Sequence, residues 1–188
     1  MSNFAFLQPE WAMLVESASK AEGAAHSDAR TACFYARRTL ELAVAWMYAH
    51  DKTLRAPYQD NLSAFIHEPC FKQTVGDALF TKARLIKDLG NMAVHSTKKM
   101  LPTDALNATR ELFHFCYWLA RTYGRKARPD PGLRFDINLV PKPATAAPAI
   151  PPQTSEQLQK LETELQARDA HLSQLQADKA ALSEELQK

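Results

Sequence analysis

The stretch KDLGNMAVHS, residues 87–96, puts a glycine, an asparagine and a histidine near the end of a helical pattern where Ala, Glu or Lys would be ordinary. Asn91 and His95 are four residues apart, so on a helix they stack along one edge. An imidazole beside an amide can move a proton and hold a phosphate oxygen, as a ribonuclease-like site requires. The same two side chains can also simply cap a helix end. Arg84 and Asp88 continue the edge, giving spacings of four, three and four from Arg84 to His95. Gly90 costs about 1 kcal/mol against Ala inside a helix, so its use implies close approach of another backbone or side chain.

These groups need elements to hold them. Residues 71–95 read as one helix, with Ala78, Leu85, Ile86, Leu89, Met92 and Ala93 as its core face. An earlier, long helix over ARTACFYARRTLELAVAWMYAH is apolar around much of its circumference and reads as the centre of a bundle. Ser27 or Asp28 caps it. Arg37 and Glu41 on it share a face with Phe34, Val44 and Tyr48, in partly apolar surroundings. If the two faces meet, Arg37, Glu41, Arg84, Asp88, Asn91 and His95 form one interior polar network. It must close on itself or on a ligand, because a buried unpaired charge is costly. The bland alternative is an ordinary Arg84–Asp88 pair with Asn91 and His95 at a helix cap.

Three more helical patterns complete the bundle. PEWAMLVESASKAEG starts at Pro9 and ends at Gly23, LSAFIHE is stopped by Pro69, and a last helix runs from Thr103–Asp104, after Pro102, to Gly124. Nothing reads as strand. The expected fold is all-α, a bundle of four or five helices over residues 1–125. Residues 126–154 read as an extended basic and Pro-rich linker, with Pro141, Pro143, Pro148, Pro151 and Pro152. Over residues 155–188, Leu158, Leu161, Leu165, Leu172, Leu175, Leu182 and Leu186 alternate as heptad a and d positions, broken by Arg168 and Lys179. That is a coiled-coil pattern, and it implies a partner helix or a homodimer. It stops in mid-repeat, as the start of a longer chain would.

Charge adds a second candidate site. The net charge is +2, with −3 over residues 155–188 and about +5 over the rest. Arg121, Arg125, Lys126 and Arg128 surround Tyr123 where the bundle gives way to the linker. Such a patch can hold nucleic-acid phosphates without a sequence code, although a solvated linker start has the same composition. Cys33, Cys70 and Cys116 lie far apart in apolar contexts and read as buried thiols, not as a zinc or disulfide set. His26, His50, His67, His114 and His171 are scattered, with no metal spacing. No secretory leader or membrane-span pattern is present, which suggests a cytoplasmic protein. There is no GxxxxGKS/T phosphate cradle, and Pro129–Asp130 is not followed by the strand and Glu-x-Lys of a nuclease core.

LGNMAVH on the penultimate helix, together with ARRTLELAV on the long early helix, resembles the HEPN superfamily of small helical bundles. The resemblance implies an HEPN-like bundle. Catalytic members cleave RNA, usually as dimers, through an Arg, a polar residue, three residues and a His. Asn91 and His95 match the last two, whereas Gly90 stands where the arginine would be, so a catalytic remnant is implied in place of an intact site. The wider run of segments, from FAFLQPEWAMLVESASKAE through KARLIKDLGNMAVHS and ELFHFCYWLARTYG to the proline linker and coiled coil, resembles the N-terminal region of type I restriction enzyme R subunits. That resemblance implies an accessory module which engages DNA and the methylation and specificity subunits. Type I site-specific deoxyribonuclease activity, ATP-dependent DNA translocation and defence would belong to the parent protein. No cofactor is implied for these residues themselves, whereas ATP and Mg are implied for the parent. The alternative is a divergent ribonuclease using His95 and Asn91.

Overall fold

The computed structural model describes residues 2–126, 128–142 and 151–185. It is all-helical: six α-helices and no strand among the described residues. A short 3-10 turn, Ala5–Leu7, leads into α1 (Ala12–Ala24). Then follow α2 (Ala29–His50), α3 (Leu62–His67), α4 (Pro69–His95), α5 (Pro102–Tyr123) and α6 (Ser155–Glu185). Among the described residues, no helix is long and apolar enough to cross a membrane.

Local chemistry explains most of the boundaries. Asp28 caps α2, its carboxylate accepting from Thr31 N at 3.1 Å and Thr31 Oγ1 at 2.6 Å. Asn61 does the same for α3, accepting from Ala64 N at 2.9 Å. Pro69 does not merely stop α3; it occupies the first turn of α4, where a missing N–H costs nothing. Pro102 opens α5 in the same way, and Asp104 accepts from Leu101 N at 3.0 Å. The expected continuous helix over 71–95 is interrupted. Gly76 has φ 76° and ψ 165°, a conformation that only glycine adopts without strain, so the chain breaks there and restarts.

α2 sits at the centre, touching α1, α3, α4, α5 and α6. Ala32, Cys33, Phe34, Ala36, Leu40, Ala43, Val44 and Met47 are all buried, which accounts for its nearly all-round apolar character. Burial pushes the Cys33 thiol up to about 12 and raises that of Cys116 as well, so both stay protonated packing groups.

The core face of α4 differs from the expected one. Ala83, Ile86, Gly90, Ala93 and Val94 are buried, whereas Ala78 and Leu85 are exposed. The true stripe is turned so that Gly90 lies inside it. The bundle also extends past residue 125. Asn3 exchanges hydrogen bonds with Asp136 at 2.7 and 2.9 Å, Phe135 meets Phe113 edge-on at 5.8 Å, and Val140 is buried. Tyr117 donates to the carbonyls of Asp130 and Pro131 at 3.1 and 3.0 Å. The first part of the expected linker is therefore docked on the bundle; residues 143–150 lie outside the described residues.

The leucine stripe of α6 is half covered by its own chain. Leu158 is fully buried, and Leu161 and Leu165 pack against the core, whereas Leu172 and Leu175 are exposed. The last two leucines of the heptad pattern lie outside the described side chains.

One charged cluster ties α4 to α5. The Glu111 carboxylate, almost buried, accepts from Lys82 and lies 3.0 Å from His114 Nδ1 and 3.3 Å from Arg110 Nε. Burial alone would push this carboxyl up. The hydrogen bonds and charges of Lys82 and His114 outweigh it and hold the group below its usual range. A carboxyl whose folded pKa lies below its unfolded value, about 4.3, adds stability above that pH and loses it as the pH falls toward the folded value. We therefore expect the thermal midpoint of Glu111→Gln to start lower at neutral pH but to fall less steeply below about pH 4.5. Parallel melting-versus-pH curves from circular dichroism would show that Glu111 carries none of the acid sensitivity.

Candidate functional site

At the GNMAVH helix end, geometry replaces the expected network with separate partnerships. A Cβ on Gly90 would overlap Arg37 Cβ and lie 2.8 and 2.9 Å from its Cδ and Cγ. The glycine thus lets α2 cross α4 closely, with the Arg37 stem filling the space where an arginine at position 90 would have stood. The Arg37 head is paired with Glu162 of α6, Nη1 to Oε1 2.8 Å. Glu41 pairs with Arg38 at 3.5 Å, and Arg38 also meets Asp169 of α6. Asp88 pairs with its neighbour Lys87 at 2.9 Å. Arg84 is exposed and lies over the Phe80 ring, 5.9 Å from the centroid.

Asn91 is half-buried and His95 exposed, and neither side chain has a hydrogen-bond partner among the described residues. The carbonyls that end α4 are capped instead by Arg30 from α2. It donates to Ala93 O at 2.5 Å and to Ser96 O and Lys98 O at 2.7 Å each. A cation at a helix C-terminus also meets the negative end of the dipole. Of the six residues expected to form one network, Arg37, Glu41, Arg84 and Asp88 therefore go to separate partners, and Asn91 and His95 have none among the described residues.

The basic junction gathers into a real concavity. A cleft of about 270 Å³ opens between the start of α1, the end of α2 and the end of α5. Glu10, Trp11, Trp46, His50, Tyr123, Arg125 and Lys126 line it. Trp46 is its aromatic hub: it stacks on His50 at 4.4 Å and meets Trp11 and Tyr123 edge-on at 5.3 and 5.6 Å. The Tyr123 hydroxyl donates to Asp51 at 2.6 Å, and burial with that contact raises its pKa. Hydrogen bonds from Thr53 and Tyr123 hold the Asp51 carboxyl below its usual range, so the pair stays carboxylate and phenol.

Glu10 fixes the turn after α5. Its Oε1 accepts from the backbone N–H groups of Arg125 and Lys126, at 2.7 and 2.5 Å, leaving both cationic side chains exposed at the cleft. Arg121 and Arg128 hold the same turn by donating to Pro129 O at 3.1 Å and Gly124 O at 3.2 Å. Their donors are partly committed, so Arg125 and Lys126 are the cations best placed to reach a ligand. A second recess of about 330 Å³ shares Glu10, Trp11 and Trp46 and runs on to Met13 and Leu42. Sequence reasoning found the cations and Tyr123. It missed Trp11, Trp46 and Glu10, which are far away in sequence and look like ordinary core and surface residues.

With this geometry in view, comparison with known proteins assigns the family. A family model described as a domain of unknown function, DUF4145, matches residues 19–172, most of the chain. The chain belongs to the DUF4145 family. No curated protein matches it, and no solved structure does. The matched DUF4145 region takes in the docked segment after α5 and the part of α6 that lies against the bundle, reaching Leu172, where the stripe becomes exposed. It contains both the GNMAVH helix end and the basic junction, while Glu10 and Trp11 precede it.

Proposed function

We propose that this DUF4145 chain is the N-terminal accessory module of a type I restriction enzyme R subunit and engages nucleic acid at the cleft beside α5. The observation that carries the nucleic-acid reading is the cleft itself: an aromatic floor of Trp46 and Tyr123 with Arg125 and Lys126 at its rim. Cations neutralise phosphates without reading sequence, and aromatic faces receive bases in a sequence-tolerant way. That combination suits an accessory hold on DNA, with recognition of the target left to a specificity subunit. The parent-protein assignment rests on the segment-by-segment resemblance described above, and the helical architecture is compatible with an HEPN-like bundle. In this reading ATP-driven translocation and DNA cleavage belong to other parts of the parent. The exposed Leu172 and Leu175 offer a continuing coiled-coil seam to a partner helix or a second copy. The alternative, a ribonuclease acting through His95 and Asn91, receives less support. The exposed imidazole is not oriented by any partner among the described residues, and Arg37 fills the vacated arginine position with its stem, not its charge.

Fluorescence anisotropy of labelled duplex DNA, titrated at low and moderate salt, tests the reading. The wild-type chain is expected to bind with an affinity that falls with salt. An Arg125→Ala/Lys126→Ala/Arg128→Ala variant should bind at least about tenfold more weakly, with its log–log salt slope reduced by about 2 to 3. The Arg128 bond to Gly124 O is lost, but the Glu10 contacts to backbone N–H groups and the Arg121 bond to Pro129 O survive these substitutions, so the turn should persist. Unchanged binding by the triple variant, or no binding by either protein, would leave docking on partner subunits as the module's task.

A further inference from the structure

Two arginines of α2 face two carboxylates of α6 across a small enclosed space. Arg37 Nη1 lies 2.8 Å from Glu162 Oε1, Arg38 Nη2 meets Asp169 Oδ2, and the arginine side chains are only 14% and 10% exposed. The match is incomplete. Arg37 Nε and Nη1 and Asp169 Oδ1 are buried without a well-aligned hydrogen-bond partner. A guanidinium presents a planar fork suited to two oxygens of a carboxylate or phosphate, and here much of that fork is unused. Glu41, 3.5 Å from Arg38, is the other acid on this face.

Such an arrangement is a poor way to fasten a helix. Partly buried ion pairs contribute little beyond what apolar side chains of the same size would, and unmet donors detract from it. The other attachments of α6 are few: the buried Leu158, the flanking Leu161 and Leu165, and Gln159 donating to Val94 O at 3.0 Å. The acids that meet the arginines belong to a segment of net negative charge, whereas the rest of the chain is net positive. A cover of this kind separates more readily than α1, α4 or α5, which bury whole apolar faces against α2.

We propose that Arg37 and Arg38 form a phosphodiester-binding face for nucleic acid, which α6 covers with Glu162 and Asp169 standing where phosphate oxygens would lie. Nucleic acid and α6 then compete for the same guanidinium groups. The bound face lies on α2 at the α4 crossing, separate from the cleft beside α5.

The test titrates labelled single-stranded DNA, and RNA of the same sequence, with the whole chain. Glu162→Gln/Asp169→Asn is expected to bind one or both about five- to thirtyfold more tightly than wild type, the range set by two competing ion pairs. Adding Arg37→Gln/Arg38→Gln should erase that gain, whereas adding the Arg125/Lys126/Arg128 alanine changes should leave its ratio intact. Leu158→Ser, which loosens α6 without touching its charges, should also raise affinity. Hydrogen exchange should show faster exchange over residues 155–169 in both releasing variants, with α2 and α5 still protected. Released α6 with unchanged affinity, or a gain that survives loss of both arginines, would overturn the proposal. Loss of the gain in the junction variant would return the binding to the cleft and overturn it equally.

Discussion

Phe113→Ala is expected to destabilise the domain by about 3–5 kcal/mol and to lower its thermal midpoint by about 6–20 °C. Phe113 is almost fully buried, and its ring is where three remote pieces of chain meet. Phe4 and Phe6 of the N-terminal turn approach it edge-on at 6.2 and 5.7 Å. Tyr117, one helical turn on, stacks on it at 6.1 Å, and Phe135 of the docked segment meets it at 5.8 Å. Truncation removes the transfer free energy of the ring and opens a cavity whose walls belong to separate segments. The N-terminal turn and residues 128–140 should therefore loosen before the helices do. Calorimetry or circular dichroism reads the midpoint, and hydrogen exchange reads the order of opening. A loss below about 1 kcal/mol would mean that the site collapses without cost and that Phe113 is not the tie described.

Gly90→Ala is the second large effect, and its sign opposes local propensity. In an isolated helix the change would stabilise by about 1 kcal/mol. Here the new methyl would overlap Arg37 Cβ and lie 2.8 Å from its Cδ. A Cβ is fixed to its backbone, so relief requires α2 and α4 to move apart, not one side chain to swing. Overpacking of this kind costs about 1–3 kcal/mol. Set against the propensity gain, a net destabilisation of up to about 2 kcal/mol and a midpoint lower by up to about 8 °C are expected. The Arg37–Glu162 pair should suffer with it, so residues 155–169 should exchange faster than in wild type. A variant melting above wild type would show that the crossing has room to spare.

The residues legible from sequence were those whose reason is local. Asp28, Pro102 and Asp104 act at helix starts through contacts within a few positions, and the sequence alone places the helices near them; Asn61 and Pro69 act just as locally, but Pro69 reads from sequence as a stop and not as the start of α4. Gly90 was legible as a site of close approach. What approached it was not, because Arg37 lies on another helix. The α4 core face was misread because apolar residues surround much of the wheel; only the position of α2 decides that Ala83 and Gly90 point inward while Ala78 and Leu85 do not. Gly76 gave no warning beyond being a glycine, since its positive φ is imposed by the path of the chain.

The candidate sites divide in the same way. Arg121, Arg125, Lys126, Arg128 and Tyr123 are close in sequence, and a composition scan finds them. Glu10, Trp11 and Trp46 complete the cleft across separations that no local pattern encodes. The leucine repeat of α6 announced a stripe that must be buried, but a heptad pattern carries no address. Leu158, Leu161 and Leu165 found their partner in the same chain, and Leu172 and Leu175 did not. Sequence by itself determined an all-helical chain, most of its helix starts, its basic junction and its leucine stripe, because each follows from local interactions or from composition; α1 begins at Ala12 and not at Pro9, and α4 at Pro69 and not at residue 71. Tertiary structure alone decided which surfaces meet. Those contacts join residues from about thirty to more than a hundred positions apart, and they depend on the shape and charge of both faces at once.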